Sequence, residues 1–356
     1  PLRLVGSEMC IRDSIDMDND DRLLSEGKGM NENHEIKFRE RVLSKSFLDR
    51  FYVDNTCSKR YHYTSPEGLM GIFKTRTFYF TDSQFLNDFR EKININDELK
   101  LFWKENQKNY DIKFVNLIKN IRVTQYEDNS FSYIDNHNET MCRYFVLSLS
   151  MNEDSLTMWK YYSKNGEYNG YCIEVFDYAL TDEWIDRVTG VTVIASKVEY
   201  CSDEKQEIIL RSVDRLYKIW KSYEFSEMLD NKIIKEFTSW VSVEALFFKD
   251  ECFQDEQETR YVAIVPTNKL NTLHYTYKEK EYKMYDFRIV NGVFTPFIRM
   301  PFNYWNEEVC LAISSIGIGP SANSEQKEAG LEQLIRSLDY KLDECKIYKS
   351  KIPVRY

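Results

Sequence analysis

Tyr61-His62-Tyr63-Thr64-Ser65-Pro66-Glu67-Gly68-Leu69-Met70-Gly71-Ile72-Phe73, running on through Lys74-Thr75-Arg76 to Thr77-Phe78-Tyr79-Phe80, is the stretch that decides the fold. Residues 61–64 are aromatic and β-branched and predict a short strand. Ser65 suits a helix N-cap, Pro66 the first helical position, and Glu67 the positive end of the helix dipole. Leu69, Ile72 and Phe73 recur at i, i+3, i+4 and give that helix one apolar face. Residues 77–80 then predict a second strand. A helix that must bury one face between two strands folds back over a sheet.

The same grammar extends along the chain. Residues 91–106 and 112–123 read as charged helices, 144–150 (YFVLSLS) as a strand, and 155–162 as a short helix capped by Asp154 or Ser155. Residues 170–176 predict a strand, and 191–194 and 198–200 are rich in β-formers. Ser202-Asp203-Glu204 opens a helix on which Ile209, Val213, Leu216, Trp220 and Tyr223 keep helical spacing, and a further helix runs to about residue 248. Residues 259–265 predict a strand. Asn291-Gly292, between 287–290 and 293–298, accepts the positive φ angles of a type I′ hairpin turn. Residues 315–319 read as a strand, and Asn323 or Ser324 caps a last helix to about 342. Strands outnumber long helices outside a helical insertion at about 202–248. The class is therefore α+β, with a mostly antiparallel or mixed sheet.

No repeat or Pro/Gly-rich linker divides residues 36–356, which predicts one domain. Residues 1–14 (PLRLVGSEMCIRDS) resemble a translated linker and are expected to be non-native. Residues 15–35 read as a disordered polar tail. The net charge of −10 argues against general nucleic-acid binding, and no apolar run is long enough for a membrane span. Eight cysteines are scattered without a CxxC pair, which fits reduced thiols in a cytoplasmic protein better than disulfides or zinc. His34, His62, His137 and His274 are too dispersed to suggest a metal site, and no P-loop, GxGxxG, HExxH or GxSxG pattern occurs.

Three patches carry possible chemistry. His62 lies in a strand directly before a helix N-terminus, whose free N–H groups suit a phosphate or a ribose hydroxyl, although a core histidine has the same sequence appearance. Trp159 and Tyr162 share a helix face at i, i+3 and follow Ser148 and Ser150, so both rings can line one surface or simply pack in the core. In an extended segment Glu256, Glu258 and Arg260 point the same way. Two acids and an arginine ahead of an apolar strand form either a site or a solvated edge.

Taken in order, YHYTSPEGLMGIFKTRTFYFTDSQFLND, LSLSMNEDSLTMWKYYSKNGEYNGYCIEV, FFKDECFQDEQETRYV, GVFTPFI and IGIGP resemble a large, mostly bacterial family known as a domain of unknown function. Its hallmarks are Tyr-His-Tyr-Thr, Asn-Asp, Trp-x-x-Tyr and Glu-x-Glu-x-Arg, and the resemblance covers about residues 58–340. That family is in turn similar to the ADP-ribosyltransferase superfamily. The resemblance implies a split, mixed β-sheet core clasping NAD as substrate, with no metal. His62, with Tyr63 and Thr64, would meet the adenosine ribose. Glu258 would be the late-strand glutamate, and Arg260, Lys249 or Arg60 would neutralise the pyrophosphate. The middle residue stays open: Tyr162, beside Trp159, would stack on nicotinamide, whereas Ser148 and Ser150 resemble the serine-bearing strand of the toxin branch.

The implied activity is cleavage of the nicotinamide–ribose bond with transfer of ADP-ribose to a protein, nucleic acid or small molecule. Water as acceptor would make the chain an NAD glycohydrolase, and a non-catalytic nucleotide- or protein-binding module is the third possibility. A role as an effector in bacterial competition or phage defence would suit an NAD-consuming enzyme. Breaking that bond develops oxocarbenium character, which a fixed carboxylate such as Glu258 stabilises. Glu256 would orient or deprotonate the acceptor.

Overall fold

A computed structural model describes residues 51, 58–86, 91–125, 131–132, 142–162, 168–177, 180, 189–222, 227–277, 280–302, 313–338 and 345–353. All belong to the unit Arg50–Tyr356. The expectations for 1–14 and 15–35, and the Asn87-Asp88 pair, lie outside the described residues.

The elements run β1 (Lys59–Thr64), α1 (Pro66–Thr75), β2 (Thr77–Asp82), α2 (Glu91–Asn106), α3 (Ile112–Ile118), β3 (Thr124–Gln125), β4 (Phe131–Ser132) and β5 (Cys142–Ser150). Next come α4 (Leu156–Tyr161), β6 (Tyr171–Phe176), β7 (Thr192–Lys197), α5 (Ser202–Lys221), α6 (Glu227–Glu244) and β8 (Glu258–Pro266). The chain continues through β9 (His274–Tyr277), β10 (Lys280–Lys283), β11 (Tyr285–Val290), β12 (Val293–Pro301), β13 (Ile313–Ile318), α7 (Ser324–Ser337) and β14 (Lys346–Lys349). The class is α+β.

Ten strands form one mixed sheet, and the pairing on β5 organises it. One edge of β5 is zipped to β8 along its whole length, from Cys142 opposite Pro266 to Ser150 opposite Glu258. Its other edge is shared. β2 takes the start of it, with Thr81 opposite Val146, and β1 takes the end, with Tyr61 opposite Ser150. Between those rungs β1 and β2 part, so the sheet splits along β5. Beyond β2 lie β12 and β11; beyond β1 lie β6, β13 and β14, of which β13–β14 is a parallel pair.

Side chains alternate across a strand, and here the alternation sorts them by chemistry. Phe145, Leu147 and Leu149 of β5 enter the main core with Tyr261, Ala263 and Ala195 of the adjoining strands. Leu69, Ile72 and Phe73 of α1 cover Phe78 and Phe80 of β2 in the same core, where Leu331 and Ile335 of α7 also pack. The opposite face of β5 and β8 carries Ser148, Ser150, Glu258 and Arg260, joined pairwise by register. The helices α2, α3, α5 and α6 absorb much of the aromatic content, as in the Phe114–Trp220 contact at 5.6 Å and the Tyr217–Trp220 stack at 6.0 Å.

Ser65 caps α1 by accepting a hydrogen bond from the Gly68 amide at 3.2 Å, with Pro66 at the first helical turn. Ser155, not Asp154, caps α4. Gly319 is required by close approach: a Cβ there would lie 2.5 Å from the Tyr168 carbonyl and 3.0 Å from the Trp159 ring.

Candidate functional site

The split end of β5 gathers motifs that are far apart in sequence. Tyr61 of β1, Ser150 of β5 and Glu258 of β8 form one continuous rung. At about 4.8 Å between strands, the outer two backbones are about 10 Å apart. Tyr162, the C-cap of α4, faces the same place, because Glu258 and Glu256 both act on its hydroxyl.

At the centre is a buried ionic cluster. Glu258 is 4% exposed. Its Oε2 accepts hydrogen bonds from Arg260 Nε at 3.2 Å, Arg260 Nη2 at 2.9 Å and Lys249 Nζ at 3.3 Å. Lys249 also donates to Glu256 Oε2 at 2.8 Å. Arg260 Nη1 donates to the Leu246 carbonyl at 2.7 Å. Two cations and two anions leave the cluster neutral, which is the condition for burying charges at tolerable cost. Burial pushes the Glu258 carboxyl upward, but Arg260, Lys249 and a hydrogen bond from the Ser148 hydroxyl outweigh it and hold the group below the usual carboxylate range. Glu258 is therefore an anion at neutral pH.

The backbone around Glu258 is equally fixed. Its N–H donates to the Tyr200 hydroxyl at 3.0 Å, and its carbonyl accepts from the Val198 amide. The Ser150 hydroxyl donates to the Glu256 carbonyl at 2.8 Å and accepts from the Asn152 amide at 3.1 Å. Glu256 is not on the strand. Asp250 caps a 3-10 turn over Glu251–Glu256, and Gln257 reverses the chain in the left-handed region at φ 43°. The extended reading of 256, 258 and 260 therefore fails at Glu256, and Lys249 rather than strand alternation brings the two acids together.

The aromatic residues divide by depth. Trp159 is fully buried; its indole N–H donates to Asp154 at 2.6 Å and its ring meets Tyr63 edge-on at 4.8 Å. Tyr63 fixes the loop after β5, donating to the Asn152 carbonyl at 2.9 Å and accepting from the Ser155 amide at 3.0 Å. Thr64 is buried at the end of β1. Tyr162 keeps 37% of its surface exposed beside the ionic cluster. Its hydroxyl is driven well above the usual range by burial and then by Glu258 and Glu256.

His62 stands apart from these groups. Alternation turns it away from Tyr61 and Tyr63 and into the split, where its ring meets Phe78 edge-on at 5.7 Å. Burial lowers it to about 4, a backbone hydrogen bond at Ser148 opposes that, and Arg288 reinforces it. The ring is therefore neutral at pH 7, and its Nδ1 is buried without a partner. Arg60 pairs with Asp177 at 3.1 Å, away from the cluster. Sequence reasoning missed Tyr200 and Arg288. Neither carries a motif, and each reaches the site through non-local strand order. Among the described residues, no group of three or more His, Cys, Asp or Glu is arranged to hold a metal, and no helix is long and apolar enough to cross a membrane.

Comparison with known protein families gives a match over part of the chain. Residues 158–261 match the family described as Protein of unknown function (DUF2971). The matched segment begins one residue before Trp159 and ends one after Arg260, so it holds Tyr162, Lys249, Glu256 and Glu258, while the strand bearing His62 lies outside it. No curated protein and no solved structure matches the chain.

Proposed function

We propose that the chain is an NAD-consuming enzyme of ADP-ribosyltransferase type, acting at the split end of β5 on an ADP-ribosyltransferase-like sheet. The observation that carries this reading is the rung Tyr61–Ser150–Glu258, which brings the early strand, the serine strand and the late glutamate onto one short stretch of sheet. Cleaving the nicotinamide–ribose bond needs a carboxylate that is charged before the substrate arrives and cannot move away from the developing cation. Glu258 meets both requirements, being buried, ionised, and fixed through its amide, carbonyl and carboxylate. Tyr162 offers a partly exposed ring beside it for an aromatic base. Glu256, tied to the same Lys249, would serve the acceptor.

The complete pairing of Glu258 with Lys249 and Arg260 favours a second reading: a binding module in which this cluster only holds the fold. Nicotinamide release from NAD, with and without candidate acceptors, separates the two. Glu258→Gln keeps the shape and removes the charge, so cleavage should fall by at least ~100-fold, the scale for losing one electrostatic stabiliser. Glu256→Gln should reduce transfer to an acceptor more than hydrolysis. Release by wild type with water alone would make the chain a glycohydrolase. Equal release by wild type and Glu258→Gln, or none from either, would remove the catalytic assignment.

A further inference from the structure

β11 lies at one end of the ten-stranded sheet. Its inner edge pairs with β12, and among the described residues no strand pairs with its outer edge. The Arg299 amide donates to the Met284 carbonyl at 2.9 Å. Backbone groups alternate between the two edges of an antiparallel strand, so Asp286, Arg288 and Val290 turn theirs to β12, while Tyr285, Phe287 and Ile289 turn theirs outward. The Phe287 amide accordingly donates to the neighbouring Asp286 Oδ1 at 2.8 Å rather than to β12. The side chains divide by face. Tyr285 lies 6.2 Å from Phe145 of the core and 5.2 Å from Phe287, between ring centres. Phe287, Ile289 and, opposite Ile289, Phe294 carry this apolar face on into solvent, with 52%, 70% and 70% of their surface exposed. The other face carries Asp286 and Arg288.

We infer that β11 is a self-association edge, which pairs antiparallel with β11 of a second copy of this chain about a two-fold axis at Phe287. An open edge flanked by large apolar side chains is a template for another strand. Charges commonly protect such edges, and they repel a copy when all have one sign. β11 instead carries one acid and one base, placed symmetrically about Phe287. Antiparallel pairing centred there sets Asp286 of each copy opposite Arg288 of the other, and Tyr285 opposite Ile289. Phe287 meets Phe287 and exchanges both backbone bonds with it. The flanking Asp286–Arg288 positions are then the non-hydrogen-bonded ones, where side chains come closest. Both charges remain accessible. Asp286 is bound to Arg299 but its side chain is 45% exposed, and Arg288 is exposed, donating to Thr81 Oγ1 at 2.8 Å. In the dimer the Phe287 carbonyl of the other copy takes the amide that Asp286 holds in the monomer, which frees that carboxylate. At about 200 Å² for a large apolar side chain, Phe287, Ile289 and Phe294 offer about 350 Å² per copy, roughly half of what a standard interface buries on each side. The dimer is therefore weak, and it needs the strand ladder and the two ion pairs as well. The interface is closed and isologous, and does not depend on the proposed function.

The test is sedimentation of the full chain from about 1 to about 200 µM, a span that brackets the micromolar dissociation constants of small interfaces. Wild type should pass from monomer to dimer across that range. Phe287→Lys sets two like charges face to face on the two-fold axis and should weaken the dimer by about tenfold or more. Asp286→Arg and Arg288→Asp should each stay monomeric, because each variant meets its own charge at both contacts. An equimolar mixture of the two should dimerise, because the variants then supply opposite charges at both contacts. Thermal midpoints establish that each variant is folded. Wild type that stays monomeric throughout, or Phe287→Lys that dimerises like wild type, would overturn the inference and leave the apolar edge to a different partner. A mixture that stays monomeric would overturn it as well, since it rejects the register centred on Phe287.

Discussion

Lys249 is the point at which the ionic cluster can be perturbed with a calculable result. Its ammonium is 2.8 Å from Glu256 and 3.3 Å from Glu258, and its side chain is only 6% exposed. Lys249→Met keeps the length and the apolar stem but leaves Arg260 alone against two carboxylates, a change from neutral to −1. An ion pair at about 4 Å is worth about 4 kcal/mol at an effective dielectric constant of about 20. Against the two pairs lost stands the desolvation of the lysine, which the native fold no longer has to meet. Arg260 still gives Glu258 two hydrogen bonds, and Glu256 can turn toward water, so the result falls at the low end for a broken buried pair, about 3 kcal/mol. In a domain of a few hundred residues this lowers the thermal midpoint by about 6 °C.

The effect must also depend on pH. The folded Glu258 carboxyl is held below its ordinary value. Its contribution is therefore present above the unfolded glutamate value of about 4.3 and is lost as pH falls through the folded value. In Lys249→Met the depression is smaller. The two proteins should then differ most at pH 7 and draw together only as pH falls through the folded value, below the ordinary glutamate range. Urea denaturation at pH 7 and at about pH 3 measures both quantities. A difference under about 0.5 kcal/mol at pH 7, or one that is independent of pH, would refute the argument that Lys249 offsets the charge of the two acids.

Other expectations concern the surroundings of the cluster. His62 remains neutral in the fold down to about pH 4 but takes a proton near pH 6.5 when unfolded, so native stability falls between those values by up to about 1.4 kcal/mol per pH unit. His62→Gln should lose that part of the slope, seen by denaturation at pH 7 and pH 5; an unchanged slope would show that His62 titrates normally. Gly319→Ala should cost about 1–3 kcal/mol and shift tryptophan fluorescence, because the added Cβ meets the Tyr168 carbonyl and the Trp159 ring. An unchanged melting curve would mean that the β13 end is free to move aside.

What could be read from sequence was local. Ser65-Pro66-Glu67 specifies a helix start without knowledge of the rest of the chain, and the structure has Ser65 as the cap. Asn291-Gly292 likewise specifies its hairpin, with φ 49° and 82°. The shared face of Trp159 and Tyr162 follows from helical spacing, but depth does not. Burial is decided by Tyr63 of β1 and by Gly319, just past the end of β13. Glu256 was misplaced because an acidic run looks the same whether extended or turned; the turn is set by the Asp250 cap and the left-handed Gln257. β14 was not anticipated, since its neighbour β13 precedes it by a whole helix and the pairing is parallel. Arg288 was invisible for the same kind of reason. Only the order β11–β12–β2–β5 brings it to the face of Glu258.

The two faces of β5 and β8 also supply an argument that stability alone does not answer. Phe145, Leu147, Leu149 and Tyr261 show that this sheet buries large apolar side chains readily on one side. On the other side the same two strands bury Glu258 and Arg260 with Lys249 beside them. Exchanging a buried ion cluster for apolar residues of similar volume is commonly neutral or stabilising by about 1–4 kcal/mol. An ionic arrangement at the split end of β5, with Gln257 held in a left-handed conformation beside it, is therefore not explained by the needs of packing. Strained backbone beside buried, charge-balanced carboxylates is what a preorganised site requires. If holding the fold were its purpose, replacing Glu258, Arg260 and Lys249 together by Leu, Met and Met would destabilise the protein. The catalytic reading instead expects a protein at least as stable as wild type that releases no nicotinamide. Loss of release without loss of stability separates a site from a structural salt bridge.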